Sequence, residues 1–244
     1  MLNIVGLPVG NWGDMPPRNI EIIQNAKYLI VENDKDYQEM LSALNIKGPN
    51  CKIFYMSTDV FNKYEIEVKV ANEVLKLLRN GEDVCIISDG GMPALADPGW
   101  GLIKMVIKNN IKVSATPGPS SIIAAAVGAG CAQMFSFKSF FSTDKEQRIK
   151  YIKSLSNERH PMILMLRNAW NDFLSEIPEV LDELRENWGD RNGVLCYNLT
   201  TNRETFIRGK LSYLKEYHMT NRSESDQAML VVDGQYPMLP MPNI

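Results

Sequence analysis

Most of the residues in this 244-residue chain that are suited to chemistry offer it through the main chain. The stretch from Ser88 to Gly99 reads Ser-Asp-Gly-Gly-Met-Pro-Ala-Leu-Ala-Asp-Pro-Gly and follows the apolar run Val84-Cys85-Ile86-Ile87. Its three glycines and two prolines favour exposed peptide groups and close approach of a ligand to backbone. Two further loops share this character, Gly6-Leu7-Pro8-Val9-Gly10-Asn11 and Pro117-Gly118-Pro119-Ser120-Ser121. The first has the wrong glycine spacing for a dinucleotide loop, and no glycine run leads to a Walker lysine. With only two histidines, His160 and His218, a histidine-based triad or zinc site has almost no material. Cys51, Cys85, Cys131 and Cys196 are far apart, lack metal-ligand spacing and read as reduced, buried thiols. No metal is expected.

These loops need strands to deliver them. Leu2 to Leu7, Tyr28 to Val31, Cys51 to Tyr55, Val84 to Ile87 and Lys112 to Ala115 are strand-like. Between them lie helical segments: a run opened by Pro16-Pro17, then Tyr37 to Leu44, Tyr64 to Leu78 and Leu102 to Lys108. Val68, Ala71, Val74, Leu75 and Leu78 form the apolar stripe of the third helix. The alternation predicts a mostly parallel sheet, with all three loops on its carboxyl edge. Together they suit a ligand with an amino-acid end and an adenine-like end, held by peptide groups.

Beyond Pro117-Gly118-Pro119 the rhythm changes. Ser120-Ser121 caps a small-residue helix, Ile122 to Gly128, and Phe135 to Phe140 alternates with period two. Lys145 to Leu155, Phe173 to Leu184 and Leu211 to Tyr217 read as helices. Met162 to Leu166, Val194 to Tyr197, Thr205 to Arg208 and Ala228 to Val232 read as strands. The expected architecture is two α/β domains, 1–116 and 117–244, with a mixed sheet in the second and an irregular tail from Gln235 to Ile244. A net charge of −3 gives no overall footprint for nucleic acid. Lys138, Lys145, Arg148, Lys150 and Lys153 cluster in one segment, read first as a solvated helix face and second as a phosphate seat. Neither a membrane span nor a signal peptide is visible, so a cytoplasmic protein is expected.

The set Pro8-Val9-Gly10-Asn11, Ser88-Asp89-Gly90-Gly91-Met92-Pro93 with Asp97-Pro98-Gly99, and Pro117-Gly118-Pro119-Ser120 resembles the tetrapyrrole methylase superfamily of S-adenosylmethionine-dependent methyltransferases. Within it the chain is most similar to the ribosomal small-subunit methyltransferase I family, which methylates a cytidine ribose 2′-oxygen in 16S rRNA. The similarity runs from about Leu2 to Gly234. It implies a two-domain homodimer with the methyl donor in the cleft between domains. By position, Leu7 and Pro8, Met92 and Leu95, and Ser121 and Ile122 would contact the donor, with Leu166, Asn198 and Ala228 closing the other side. Core packing is the competing reading for Leu95, Ile122 and Leu166.

Departures fall on the substrate side. The rRNA enzymes carry an acidic pair followed by threonine and arginine where this chain has Glu32-Asn33-Asp34-Lys35. Their Glu-Ser-Thr-His-Arg stands here as Arg167-Asn168-Ala169-Trp170-Asn171, their Glu-Leu-Thr-Lys as Asn198-Leu199-Thr200-Thr201, and their Lys-Gly-Glu as Ser225-Asp226-Gln227. The Val31-Glu32-Asn33 variant looks like a divergent branch. A ribose hydroxyl needs a group to take its proton, and the candidates are Asp89 and Glu32 at strand ends. Asp89 capping its own loop and Glu32 pairing with a surface lysine are the alternatives. Three functions follow in order: methylation of RNA or the ribosomal small subunit, methylation of a small tetrapyrrole-like molecule, and a non-catalytic relative.

Overall fold

The computed structural model describes residues 1–56, 63–166, 177–221 and 228–235. It divides into two compact units, Met1–Ser120 and Ser121–Ile244, whereas the sequence break placed the boundary after Thr116.

The first unit holds five strands: β1 (Leu2–Val5), β2 (Tyr28–Val31), β3 (Lys52–Tyr55), β4 (Val84–Ile86) and β5 (Val113–Thr116). They lie in the order β3-β2-β4-β1-β5, and every pair is parallel. Strand residues alternate between two apolar layers, as a sheet buried on both faces requires. Leu29, Val31, Cys85 and Ile87 pack with Ile23 of α1 (Pro17–Gln24) and Tyr37 and Met40 of α2 (Asp34–Ala43). Ile30, Val84 and Ile86 face Ala71, Val74 and Leu78 of α3 (Lys63–Arg79) and Leu102 and Val106 of α4 (Trp100–Lys108). Val68, assigned to the buried stripe of α3, is instead 37% exposed. The neighbouring strands β4 and β1 send their chains in opposite directions, β1 towards β2 and β4 towards β5. Open α/β sheets bind ligands at such a switch point, outside the carboxyl ends of the strands.

The second unit holds β6 (Ser136–Phe140), β7 (Met162–Leu166), β8 (Asn192–Tyr197), β9 (Thr205–Lys210) and β10 (Ala228–Val232). Their order is β6-β7-β10-β8-β9, so among the described strands the last in sequence is central in space. β6 and β7 are parallel and the remaining pairs antiparallel, a mixed sheet as expected. α5 (Ser121–Ala129) packs on one face through Ile122, Ala125 and Ala126. The other face carries α6 (Lys145–Ser154), α7 (Ile177–Trp188) and α8 (Leu211–Asn221), through Ile152, Leu181, Leu184 and Leu214.

Two expectations need revision here. The basic segment at α6 is largely the solvated face first expected, with Lys145, Lys150 and Lys153 exposed, but Arg148 is not part of it and the segment is not a row of free cations. Arg148 is 2% exposed, and its Nε and Nη2 donate to Glu183 at 2.7 and 2.9 Å. Lys138 pairs with Glu158 and the exposed Lys145 with Glu179, each at 2.7 Å, leaving Lys150 and Lys153 exposed without a carboxylate partner among the described residues. The helix expected over Phe173–Leu184 runs on to Trp188, and its first residues, like the tail beyond Gln235, lie outside the described residues. Trp188 extends it because its indole N–H reaches the Ile152 carbonyl at 2.8 Å. Among the described residues no helix is long and apolar enough to cross a membrane, and no group of His, Cys, Asp and Glu is placed to hold a metal ion.

Candidate active site

Three loops leave the carboxyl ends of β1, β4 and β5 and are joined through their backbones. β1 stops at Val5, short of the expected Leu7, because Leu7 turns aside to pair with Gly91. The Leu7 N–H donates to the Gly91 carbonyl at 2.8 Å and the Gly91 N–H to the Leu7 carbonyl at 3.0 Å. Loop one meets loop three still more closely. A Cβ on Gly6 would lie 2.8 Å from the Gly118 Cα and 2.6 Å from the Met92 sulfur, and a Cβ on Gly118 only 2.7 Å from the Gly6 Cα. Only glycine at both positions permits this approach. The buried Asn19 of α1 donates from Nδ2 to the Gly6 carbonyl at 2.8 Å and to the Pro117 carbonyl at 3.1 Å. Further along the central loop, Ala94 (φ 66°) and Ala96 (φ 71°) occupy the left-handed region, which costs an alanine roughly 1–2 kcal/mol each.

Beside this floor stands an acidic corner at the ends of β2 and β4. Glu32, 8% exposed, accepts the Asp89 N–H at 3.2 Å. It therefore braces the loop from a buried position rather than lying on the surface. Asn33 caps α2, its side-chain oxygen accepting from the Asp36 N–H at 2.9 Å. The Asn33 Nδ2 donates to the Asp36 carboxylate and lies 3.4 Å from both Asp89 oxygens. Burial, then the charges of Glu32 and Asp36, push the Asp89 carboxyl from its ordinary 3.8 up to about 7. A carboxylate tuned near neutrality is a competent proton acceptor. Cys85, pushed up to about 12 by burial, stays a thiol.

The remaining positions named from sequence are distributed as follows. Pro8 is buried, Met92 half-buried over Gly6, and Leu95 is 44% exposed, so core packing does not describe Leu95. Ser121 opens α5, and Ile122, 7% exposed, joins the second unit's core. Leu166 pairs with Ala228, Ala228 with Tyr197, and Asn198 follows at φ 47°, so these three residues share one edge of the second sheet. Sequence reasoning missed Asn19, Asn33 and Asp36. Asn33-x-x-Asp36 ahead of an apolar run is a legible helix-start signal. Nothing local marks Asn19, whose second acceptor is 98 residues away.

The sequence model of the family described as Tetrapyrrole (Corrin/Porphyrin) Methylases matches residues 1–215. The chain belongs to the tetrapyrrole methylase family. Membership makes it a methyltransferase by class. This methylase is 29% identical over 235 residues to the ribosomal RNA small subunit methyltransferase I of Thermotoga maritima, covering 96% of this chain and 98% of that one. It is 29% identical over 238 residues to the protein of the same name from Synechocystis, covering 97% and 80%. Among solved structures, cobalt precorrin-4 methyltransferase CbiF aligns with a TM-score of 0.63 at 17% identity, covering 95% of this chain and 94% of that one. Uroporphyrin-III C-methyltransferase from Thermus thermophilus, complexed with S-adenosylhomocysteine, aligns at 0.61 and 14%, covering 95% and 96%. At these identities the structural likenesses speak for the fold.

Proposed function

We propose that this tetrapyrrole methylase transfers a methyl group from S-adenosylmethionine to RNA, with a ribose 2′-oxygen of small-subunit ribosomal RNA as acceptor. The observation that carries the reading is the end-to-end likeness to an rRNA small-subunit methyltransferase, spanning 98% of that relative. The residues of the first unit fit the donor. The joined loops place peptide groups, not long side chains, at the switch point, and the Glu32–Asp89 corner is complementary to a sulfonium cation. Leu7, Pro8, Met92 and Leu95 are the proposed contacts there, with Ser121, Ile122, Leu166, Asn198 and Ala228 from the second unit.

S-adenosylmethionine, when bound, supplies a methyl group on sulfur and leaves as neutral S-adenosylhomocysteine. The chain's own task is orientation, exclusion of water and removal of one proton. Asp89 takes the acceptor hydroxyl's proton as the oxygen–methyl bond forms and the sulfur–methyl bond breaks, and Glu32 holds Asp89 through its N–H. A cytoplasmic homodimer acting on RNA or the ribosomal small subunit completes the proposal.

One observation favours a second reading, a small tetrapyrrole-like acceptor. Lys138, Lys145 and Arg148, the expected phosphate seats, are held by Glu158, Glu179 and Glu183. The test is incorporation of labelled methyl from S-adenosylmethionine into intact small subunits lacking the modification, naked rRNA and small-molecule extracts. Label in the ribosomal RNA is the expected result. Label confined to the small-molecule fraction would overturn the RNA reading.

A further inference from the structure

Asn19 stands in the first turn of α1 with 1% of its surface exposed. It does not cap that helix, and its amide is aimed at the sheet edge instead. A carboxamide nitrogen carries two N–H groups, so one side chain can serve two carbonyls, whereas a hydroxyl offers one donor and a carboxylate none. Asn19 serves the Gly6 carbonyl at 2.8 Å and the Pro117 carbonyl at 3.1 Å. Those carbonyls close β1 and β5, and they open the first and third loops. On the other side the same loops are in contact, with a Cβ on Gly118 only 2.7 Å from the Gly6 Cα. The loop spacing is thus bounded by van der Waals contact and held by one amide. The central loop follows the first, through the Leu7–Gly91 pairing and the Met92 sulfur against Gly6.

We propose that Asn19 is a positioning residue for the methyl-donor site: its paired hydrogen bonds set the separation of the first and third loops, and through it the affinity for the donor. The proposal rests on reading these loops as the donor site. Asn19 itself touches no donor atom in this account. Small displacements of positioned groups have large effects where a ligand is read by backbone.

Calorimetry with S-adenosylhomocysteine on the full chain tests it, together with thermal unfolding of the same samples. Asn19→Asp, nearly isosteric but without the two donors, and Asn19→Ala are expected to weaken binding by about tenfold or more. Trp188→Phe is the control, because it removes the bond to the Ile152 carbonyl within the second unit. It is expected to lower the melting temperature while leaving donor affinity within about twofold. Gly118→Ala disturbs the spacing from the opposite side and is expected to weaken binding as the Asn19 variants do. Folded Asn19 or Gly118 variants that bind as tightly as the wild type would overturn the proposal. A wild-type protein that binds no S-adenosylhomocysteine would overturn the donor reading itself, a result told apart by the parent measurement alone.

Discussion

Asp89 sits between two other carboxylates, and its proton is the most consequential one in the first unit. Its carboxyl is raised from 3.8 to about 7 in the folded chain by burial and by Glu32 and Asp36. The folded state therefore holds this proton more tightly than the unfolded state. Its contribution favours folding below about pH 4 and is lost as pH rises through about 7. Asp89→Asn should accordingly raise the melting temperature at pH 8 and leave it unchanged at pH 4, while cutting methyl transfer by about 10²–10⁴-fold. Asp36→Asn should keep activity but move the acidic limb of the pH–rate profile downward, since one of the charges that raises Asp89 is gone. A limb that stays in place would remove Asp36 from this role. None of this coupling is legible in a one-dimensional pattern. Asp89 was visible as a carboxylate at a strand end, but its neighbours arrive from β2 and α2, more than fifty positions away.

At the scale of elements, strands were the most legible feature. Tyr28–Val31, Met162–Leu166 and Ala228–Val232 begin and end where their apolar runs do, because a central strand buried on both faces must be apolar throughout. Helix starts were less visible, since side-chain caps decide them, and α2 begins at Asp34, three residues ahead of the expected Tyr37, because Asn33 caps it. Long-range polar partners were not visible at all. The charged surface of α6 conceals Arg148, which a bidentate contact to Glu183 draws between α6 and α7. Both groups are buried, so Glu183→Gln or Arg148→Ala should cost about 3–5 kcal/mol, because one desolvated charge remains. Arg148→Met with Glu183→Leu should recover most of that loss in urea unfolding. An unrecovered double variant would mean that the pair is needed to define the packing of α6 on α7.

For the molecule as a whole, charge decides how RNA could be held. The net charge is −3, and in the basic segment only Lys150 and Lys153 remain exposed and free of carboxylates among the described residues. Released counterions set the salt dependence of RNA binding at about 0.7–0.9 per neutralised phosphate. If that segment is the phosphate contact, the log–log slope should be shallow, between about −1 and −2, and Lys150→Ala with Lys153→Ala should flatten it further. A steep slope that the double variant leaves unchanged would place the phosphate contacts elsewhere on the surface. Fold class was legible from the strand–helix rhythm. The division after Ser120 was only approximated, because the proline-rich break that signals it belongs to the first unit's third loop.

The position of β10 bears on how the chain comes into being. It lies between β7 and β8, yet among the described strands it is the last to be translated. During synthesis the first unit has every strand it needs once Thr116 has emerged, while β7 and β8 must wait with unpaired inner edges until Ala228–Val232 leaves the ribosome. Unpaired strand edges template wrong pairings. Assembly of the second unit is thus ordered from front to back, and its exposure to misassembly is concentrated in the interval between the emergence of β8 and that of β10.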